Sequence, residues 1–382
     1  MRFLFLTAFF LASLATADDA PRARNIGIPF DGTPGALNAI TDVAGVTVGF
    51  TTLVQDLDDG KAVRSGVTAI LPRGEETLDK PVFGGGFVLN GNGEMTGTAW
   101  IEESGFVEGP VMITNTHSVG AVHEGTIRWR VEKGGPDASG YWWSLPVVAE
   151  TWDGYLNDIN GFHVRPEHAA AAIEAARGGA VAEGSVGGGT GMTCFDFKCG
   201  TGTASRIVDA AGERHTVGVL VQANFGWRDL LIIAGVPVGR HLREHMISSR
   251  MPELSGLGSI IVVVATDAPL LPQQLKRLAR RAAMGLARTG DIASNGSGDL
   301  FLAFSTANEN ADQANSDVVL EMLANEDMNP LFEATIQATE EAIINALVAG
   351  RAMTGNRGNT ATAIDHDALR DVLREYGRLA GD

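Results

Sequence analysis

The chain has 382 residues, 45% hydrophobic and 20% charged, with a formal net charge of −17. That length admits one large domain or two closely packed ones. The acidic surplus argues against a nucleic-acid partner, which would need clustered Lys and Arg, and 48 glycines call for many tight turns and close backbone approaches.

The first residues predict an export signal. Arg2 supplies a short basic start, 3–14 is an apolar run, and Ala15-Thr16-Ala17 has the small residues of a cleavage site. This is the pattern of a secretory signal peptide over 1–17. The run is too short to span a bilayer, and no later segment is apolar over a spanning length. The expectation is an exported chain, periplasmic in a cell with an outer membrane, free of the membrane once the signal is removed. Residues 18–382 are expected to form a single domain.

Short apolar runs separated by glycine-bearing turns follow. Those at 67–71, 111–114, 145–149 and 217–223 read as strands. The unbroken Ile, Val and Ala run at 260–265 predicts a strand buried on both faces, and 300–305 predicts another. Pro166 opens a helix closed by Gly178-Gly179. Pro272 opens a second, with Leu275, Leu278, Ala279, Ala282 and Leu286 inward. Its other face carries Lys276, Arg277, Arg280 and Arg281, either solvated or turned toward an acidic neighbouring subunit. Asn329-Pro330 opens a third helix ending at Gly350. A last helix follows Asp367, with Leu369, Val372, Leu373 and Tyr376 inward. Strands early and long helices late suggest an α+β fold of layered sheets covered by helices.

Cys194 and Cys199 are the only two cysteines. A disulfide suits an oxidising compartment, and two small buried thiols fit the same spacing. A zinc pair lacks further cysteines to complete it. His241-Leu242-Arg243-Glu244-His245 spells H-x-x-E-H; in a helix both imidazoles would share one face for a metal, with Glu244 as base. The glycine-rich segment 187–191 lacks the Lys-Ser/Thr of a phosphate loop, and no Gly-x-Ser-x-Gly elbow occurs. No metal or cofactor is expected.

The segment 255–264 couples a glycine-bearing loop to the apolar strand, with Ser259 at the junction. Glycine tolerates a strained peptide while the strand holds the serine. The Ser259 hydroxyl is then placed to attack the Gly258 carbonyl, and water would release a new N-terminus. A free α-amino group, with a pKa of roughly 7.7–8, would serve that serine as base. On these residues alone, a serine at a strand start is ordinarily a turn residue.

Longer stretches add weight. Arg24-Asn25-Ile26-Gly27, Asn38-Ala39-Ile40-Thr41-Asp42-Val43, Asn115-Thr116-His117-Ser118-Val119-Gly120, Val147-Val148-Ala149-Glu150-Thr151, Gly187-Gly188-Gly189-Thr190-Gly191-Met192 and Gly258-Ser259-Ile260-Ile261-Val262 resemble the DmpA family. That family comprises L-aminopeptidase/D-Ala-esterase/amidases and β-peptidyl aminopeptidases. The resemblance runs from about Arg24 to the last helix. It implies a four-layer α-β-β-α sandwich, like the N-terminal-nucleophile hydrolases but with different strand connectivity. It also implies self-cleavage into chains 18–258 and 259–382, and a homo-oligomer, a tetramer in the family, of the cleaved pairs.

Site roles follow position by position. Asn224 resembles the residue supplying an oxyanion donor; its other reading is a strand-end turn. Ser297 and Asp299 resemble a pair beside the nucleophile that tunes its amine, in an Asn-Gly-Ser-Gly-Asp segment that also reads as a turn. Glu150 resembles the acid receiving the substrate's ammonium, which would demand a free N-terminus. Trp152 departs from the Tyr expected there, which leaves Tyr155 as a substitute. Tyr141, Trp142 and Trp143 are candidates for lining the substrate pocket, or for core or subunit contacts. The expected substrate is a short peptide, amino-acid amide or ester. Three other readings stand beside it: an acyl transferase resembling ornithine acetyltransferase (which places Thr, not Ser, after its cut), a zinc peptidase, and an inactive exported ligand-binding relative.

Overall fold

The computed structural model describes residues 21–74, 79–134, 143–247 and 257–381. The signal segment, Tyr141, Trp142 and Ser255-Gly256 lie outside them. The strands are β1 (Thr47–Asp56), β2 (Ala62–Leu71), β3 (Val82–Gly91), β4 (Phe106–Val107), β5 (Val111–Asn115), β6 (Val147–Thr151), β7 (Thr193–Cys194), β8 (Phe197–Lys198), β9 (Thr201–Ala210), β10 (Glu213–Asn224), β11 (Leu257–Thr266), β12 (Gly296–Ser305), β13 (Met353–Thr354) and β14 (Thr360–Ala361). The α-helices are α1 (Thr98–Ser104), α2 (Val119–Lys133), α3 (Pro166–Glu174), α4 (Pro272–Arg288), α5 (Asn329–Val348) and α6 (His366–Glu375).

Two sheets stack face to face. One has the order β1-β2-β5-β6, the other β4-β3-β12-β11-β10-β9. Side-chain alternation sends Ile261, Val263 and Ala265 of β11 toward the first sheet, where they meet Ile70, Ile113 and Ala149. Ile260, Val262 and Val264 face the other way, into the core under α4 and α5. On the far side of the first sheet, Val67, Ala69 and Met112 pack against Val122, Ala169 and Ile173 of α2 and α3. The result is the expected α-β-β-α sandwich. Each fully buried Val or Ile contributes roughly 1.5–3 kcal/mol, which explains why the central strand carries no polar residue from 260 to 265.

Close approach of helix to sheet needs glycine at one position in particular. A Cβ at Gly202 of β9 would lie 2.0 Å from the Ala342 carbonyl oxygen of α5. The same helix carries buried Glu341, which accepts from Arg206 at 2.7 Å and from Arg24 at 2.8 Å, tying the N-terminal segment to the outer layer.

Several expectations need correction. The strand expected at 145–149 is β6, two residues later, and Leu145 is exposed. Helix α3 ends at Glu174, before Gly178-Gly179, because Arg177 leaves to bridge Val48. Helix α6 starts at His366, one residue before Asp367, because Asp365 caps it by accepting the amides of Asp367 and Ala368. Tyr376 is exposed, and its hydroxyl meets His241 Nε2 at 3.0 Å. The cations of α4 are not simply solvated: Arg281 lies 3.9 Å over the Phe332 ring, Arg280 5.2 Å over Phe87, and Lys276 pairs with Glu102 at 2.5 Å.

Candidate active site

One end of the sandwich opens into a cavity of about 270 Å³. Its wall includes Ser259 and Gly258 at the start of β11, Asn224 at the end of β10, Glu150 and Trp152 at the end of β6, and Gly296 at the start of β12. Ser259 shares the inter-sheet face of its strand with Ile261 and is 5% exposed. Its hydroxyl lies 2.5 Å from the Gly258 carbonyl oxygen, to which it donates.

Asn224 pairs with Ser259 across the β10–β11 ladder. Its Oδ1 accepts the Thr193 amide at 2.9 Å. With the oxygen so used, the Nδ2 hydrogens are the part of the carboxamide left for the cavity. Glu150 is almost fully buried; its Oε1 accepts the Glu94 amide at 3.0 Å, and its Oε2 accepts from the Thr116 hydroxyl. Burial raises its carboxyl above the ordinary range, and the Thr116 and Glu94 hydrogen bonds only partly oppose that. A buried carboxylate at the end of a cavity is suited to a cation that enters and replaces lost solvation.

Ser297 and Asp299 are brought near but not onto the cavity wall. They occupy β12, where Gly298 between them pairs with Ser259. Ser297 donates to Asp299 Oδ1 at 2.6 Å, and both are buried. Burial pushes the Asp299 carboxyl up to about 6, with Asp291 adding to the rise and the Ser297 hydroxyl opposing it. Tyr155 lines the cavity, but its hydroxyl donates to the Thr360 carbonyl at 3.1 Å, so it serves as a wall. Trp143 is exposed and forms an edge contact with Trp100. Tyr141 falls outside the described residues.

Sequence reasoning missed Thr116, Thr193 and Asp196. Thr116 lay inside a quoted motif, yet its contact with Glu150 joins two strand ends that no local spacing connects. Cys194 and Cys199 form a disulfide, with Cα atoms 5.4 Å apart. The H-x-x-E-H segment is not helical: a short 3-10 turn ends at Arg240, and His245 has φ +54°. The shared helical face on which the zinc reading depended does not form, and no cluster of three metal-binding side chains occurs among the described residues.

A buried serine at a strand start, opposite a carboxamide and sharing its cavity with a buried carboxylate, brings a hydroxyl, an amide donor and an anion to one wall of an α-β-β-α sandwich. Residues 38–361 match the family described as Peptidase family S58, and the chain belongs to that family. It is 52% identical to the β-peptidyl aminopeptidase BapA of Sphingosinicella microcystinivorans, over all of this chain and 98% of the relative. It is similar in structure to the L-aminopeptidase D-Ala-esterase/amidase of Ochrobactrum anthropi, described as a prototype serine aminopeptidase and a new variant of the Ntn hydrolase fold. That likeness has a TM-score of 0.89 and 49% identity, covering 94% of this chain and all of that one. A Burkholderia sp. β-aminopeptidase matches with a TM-score of 0.84 and 47% identity, covering 94% of this chain and 99% of that one. The chain is thus a hydrolase of the aminopeptidase/amidase type.

Proposed function

We propose that the protein is exported, cuts itself between Gly258 and Ser259, and then uses Ser259 as the nucleophile of an aminopeptidase. The observation that carries this reading is the Ser259 hydroxyl beside the peptide that precedes it, 2.5 Å from the Gly258 carbonyl oxygen, at the wall of the cavity. Attack by Oγ on that carbonyl shifts the acyl group from nitrogen to oxygen. Water then hydrolyses the ester, leaving a carboxylate on Gly258 and an α-amine on Ser259.

In turnover, the α-amine takes the hydroxyl proton as Oγ attacks the carbonyl of the substrate's first residue. Asn224 Nδ2 donates to the developing oxyanion. The amine returns the proton to the leaving group, and water releases the acyl-enzyme by the same route. Glu150 accepts the substrate's ammonium, which restricts cleavage to chains with a free N-terminus. The Ser297–Asp299 pair, one strand away, sets the electrostatic surroundings of the new amine. The signal at 1–17 directs export, and by the resemblance the cleaved pairs assemble into a homo-oligomer.

The substrates to test first are short peptides with an N-terminal β-amino acid, as the relatives' names denote, alongside L-amino-acid amides and D-alanyl amides. Intact-mass measurement decides the central step. Wild type should give two chains, meeting at 258 and 259, and Ser259→Ala should give one inactive chain. A fully active preparation that stays one chain overturns the reading.

A further inference from the structure

The ring closed by Cys194 and Cys199 sits against the end of β10 and the turn after it, where Asn224 and Phe225 lie. The two cysteines are five apart in sequence and buried. Inside the ring Cys194 pairs with Phe197, and Phe195 and Asp196 take φ values of +50° and +60°. Two successive non-glycine residues in the left-handed region are uphill and persist only where surroundings hold them.

Two buried cations supply those surroundings. Arg228, buried, donates to the carbonyls of Phe195 at 2.7 Å and Asp196 at 2.9 Å, and its guanidinium lies 3.3 Å over the Phe197 ring. Lys198 Nζ, fully buried, donates to the carbonyls of Met192 at 2.9 Å and Cys199 at 2.5 Å. Two amides, one just before this ring and one within it, reach Asn224 and the residue after it. Thr193 donates to Asn224 Oδ1 at 2.9 Å, and Phe195 donates to the Phe225 carbonyl at 2.8 Å.

We propose that the Cys194–Cys199 disulfide is a positioning device for Asn224: it holds the Thr193 amide where that amide fixes the carboxamide, so that Nδ2 faces the reacting carbonyl. This rests on Asn224 being the oxyanion donor. A cross-link between residues so near in sequence removes less unfolded-chain entropy than one closing a long loop, so its main effect is local. Without it the ring is held by Arg228 and Lys198 alone, the Thr193 amide is less sharply fixed, and the carboxamide spends less time in the geometry the oxyanion needs.

The test compares wild type with the Cys194→Ala/Cys199→Ala double variant, with and without Asn224→Ala. The double variant should lose about ten- to a hundredfold in kcat, with KM within about twofold, because the donor acts on the transition state. In the Asn224→Ala background the cysteine changes should alter kcat by less than about twofold, since the device then has nothing to position. Should the double variant not fold, wild type made in a reducing cytosol and assayed in dithiothreitol gives the same comparison. There the reagent passes two electrons and two protons to the disulfide, closes to its own cyclic disulfide, and leaves two thiols countable by alkylation, the chain having no others.

Unchanged kcat in the cysteine-free enzyme overturns the inference, as does a loss that persists in full beside Asn224→Ala. Failure of both preparations to fold also overturns it, because the link then serves the fold. If Asn224→Ala alone keeps full kcat, the reading of the oxyanion donor fails instead.

Discussion

Asn224 stands directly opposite Ser259 across the β10–β11 ladder, its carboxamide oxygen already committed to the Thr193 amide. The pairing puts a donor one strand from the nucleophile without any loop between them, so both move with the same sheet. With Nδ2 as an oxyanion donor, Asn224→Ala should lower kcat by about 10²–10³, or roughly 3–4 kcal/mol of barrier, and leave KM nearly unchanged. Asn224→Asp should be as damaging, since it keeps the contact to Thr193 but places a negative charge where negative charge develops. Steady-state kinetics on an amino-acid amide check both; a rise in KM at constant kcat would assign Asn224 to ground-state binding.

Glu150 makes a pH prediction. Its carboxyl titrates above the ordinary glutamate range because it is buried. An α-amine base must be neutral and Glu150 must be ionised, so both requirements fail as pH falls. Below both ionisations log(kcat/KM) should therefore approach a slope of two against pH in wild type and one in Glu150→Gln. The variant should also raise KM for free-amine substrates, about ten- to a hundredfold for a lost charge-assisted contact. A wild-type slope of one throughout would remove Glu150 from substrate binding.

Asp153, fully buried three residues beyond Glu150, predicts a stability effect. Burial pushes its carboxyl up to about 7, against hydrogen bonds from Ser65, Asn157 and Asn115. Unfolded, an aspartate titrates near 3.9, so the folded chain takes up a proton between these values. Its stabilising contribution is complete below the unfolded value and is lost as pH rises through about 7. Asp153→Asn keeps the neutral form at every pH. It should melt several degrees above wild type at pH 8 and close to it at pH 4, followed by circular dichroism. Parallel melting curves for the two proteins would show that Asp153 is ionised in the fold.

How much of this was legible depended on whether a signal was local. The Pro-started helices α4 and α5 and the apolar run of β11 announced themselves because capping and burial act within a few residues. Helix α2 did not: Gly120 and Gly125 interrupt it, and Gly125 is there because a Cβ would lie 2.2 Å from the Pro166 carbonyl oxygen of α3. That reason is tertiary and leaves no periodicity. Tyr376 fitted the inward register of α6 yet points to His241, because it is the capping residue just after the helix ends, past the core. In the site, Ser259, Asn224 and Glu150 were reached through motif resemblance. The Thr116 and Thr193 contacts that orient Glu150 and Asn224 span chain separations that no motif encodes.

Gly258 offers a way to separate processing from turnover. A Cβ there would lie 2.8 Å from Phe225 Cα and 3.0 Å from the Asn224 carbonyl oxygen, both backbone and unable to give way as a side-chain tip would. Gly258→Ala must therefore displace either the scissile peptide or the Asn224–Phe225 backbone against it, and a misplacement of even about 1 Å can slow attack on the order of a hundredfold. The expected outcome is a long-lived single chain that converts to two chains over hours. Once cut, residue 258 is a chain end no longer held against the turn by its bond to Ser259. Activity per cleaved molecule should then return to within a few fold of wild type. Intact-mass time courses run beside the amidase assay read the two quantities separately. If Gly258→Ala matures as fast as wild type, packing against Phe225 does not set the position of the scissile bond. If it matures slowly but stays inactive after cleavage, Gly258 is needed for turnover as well as for the cut.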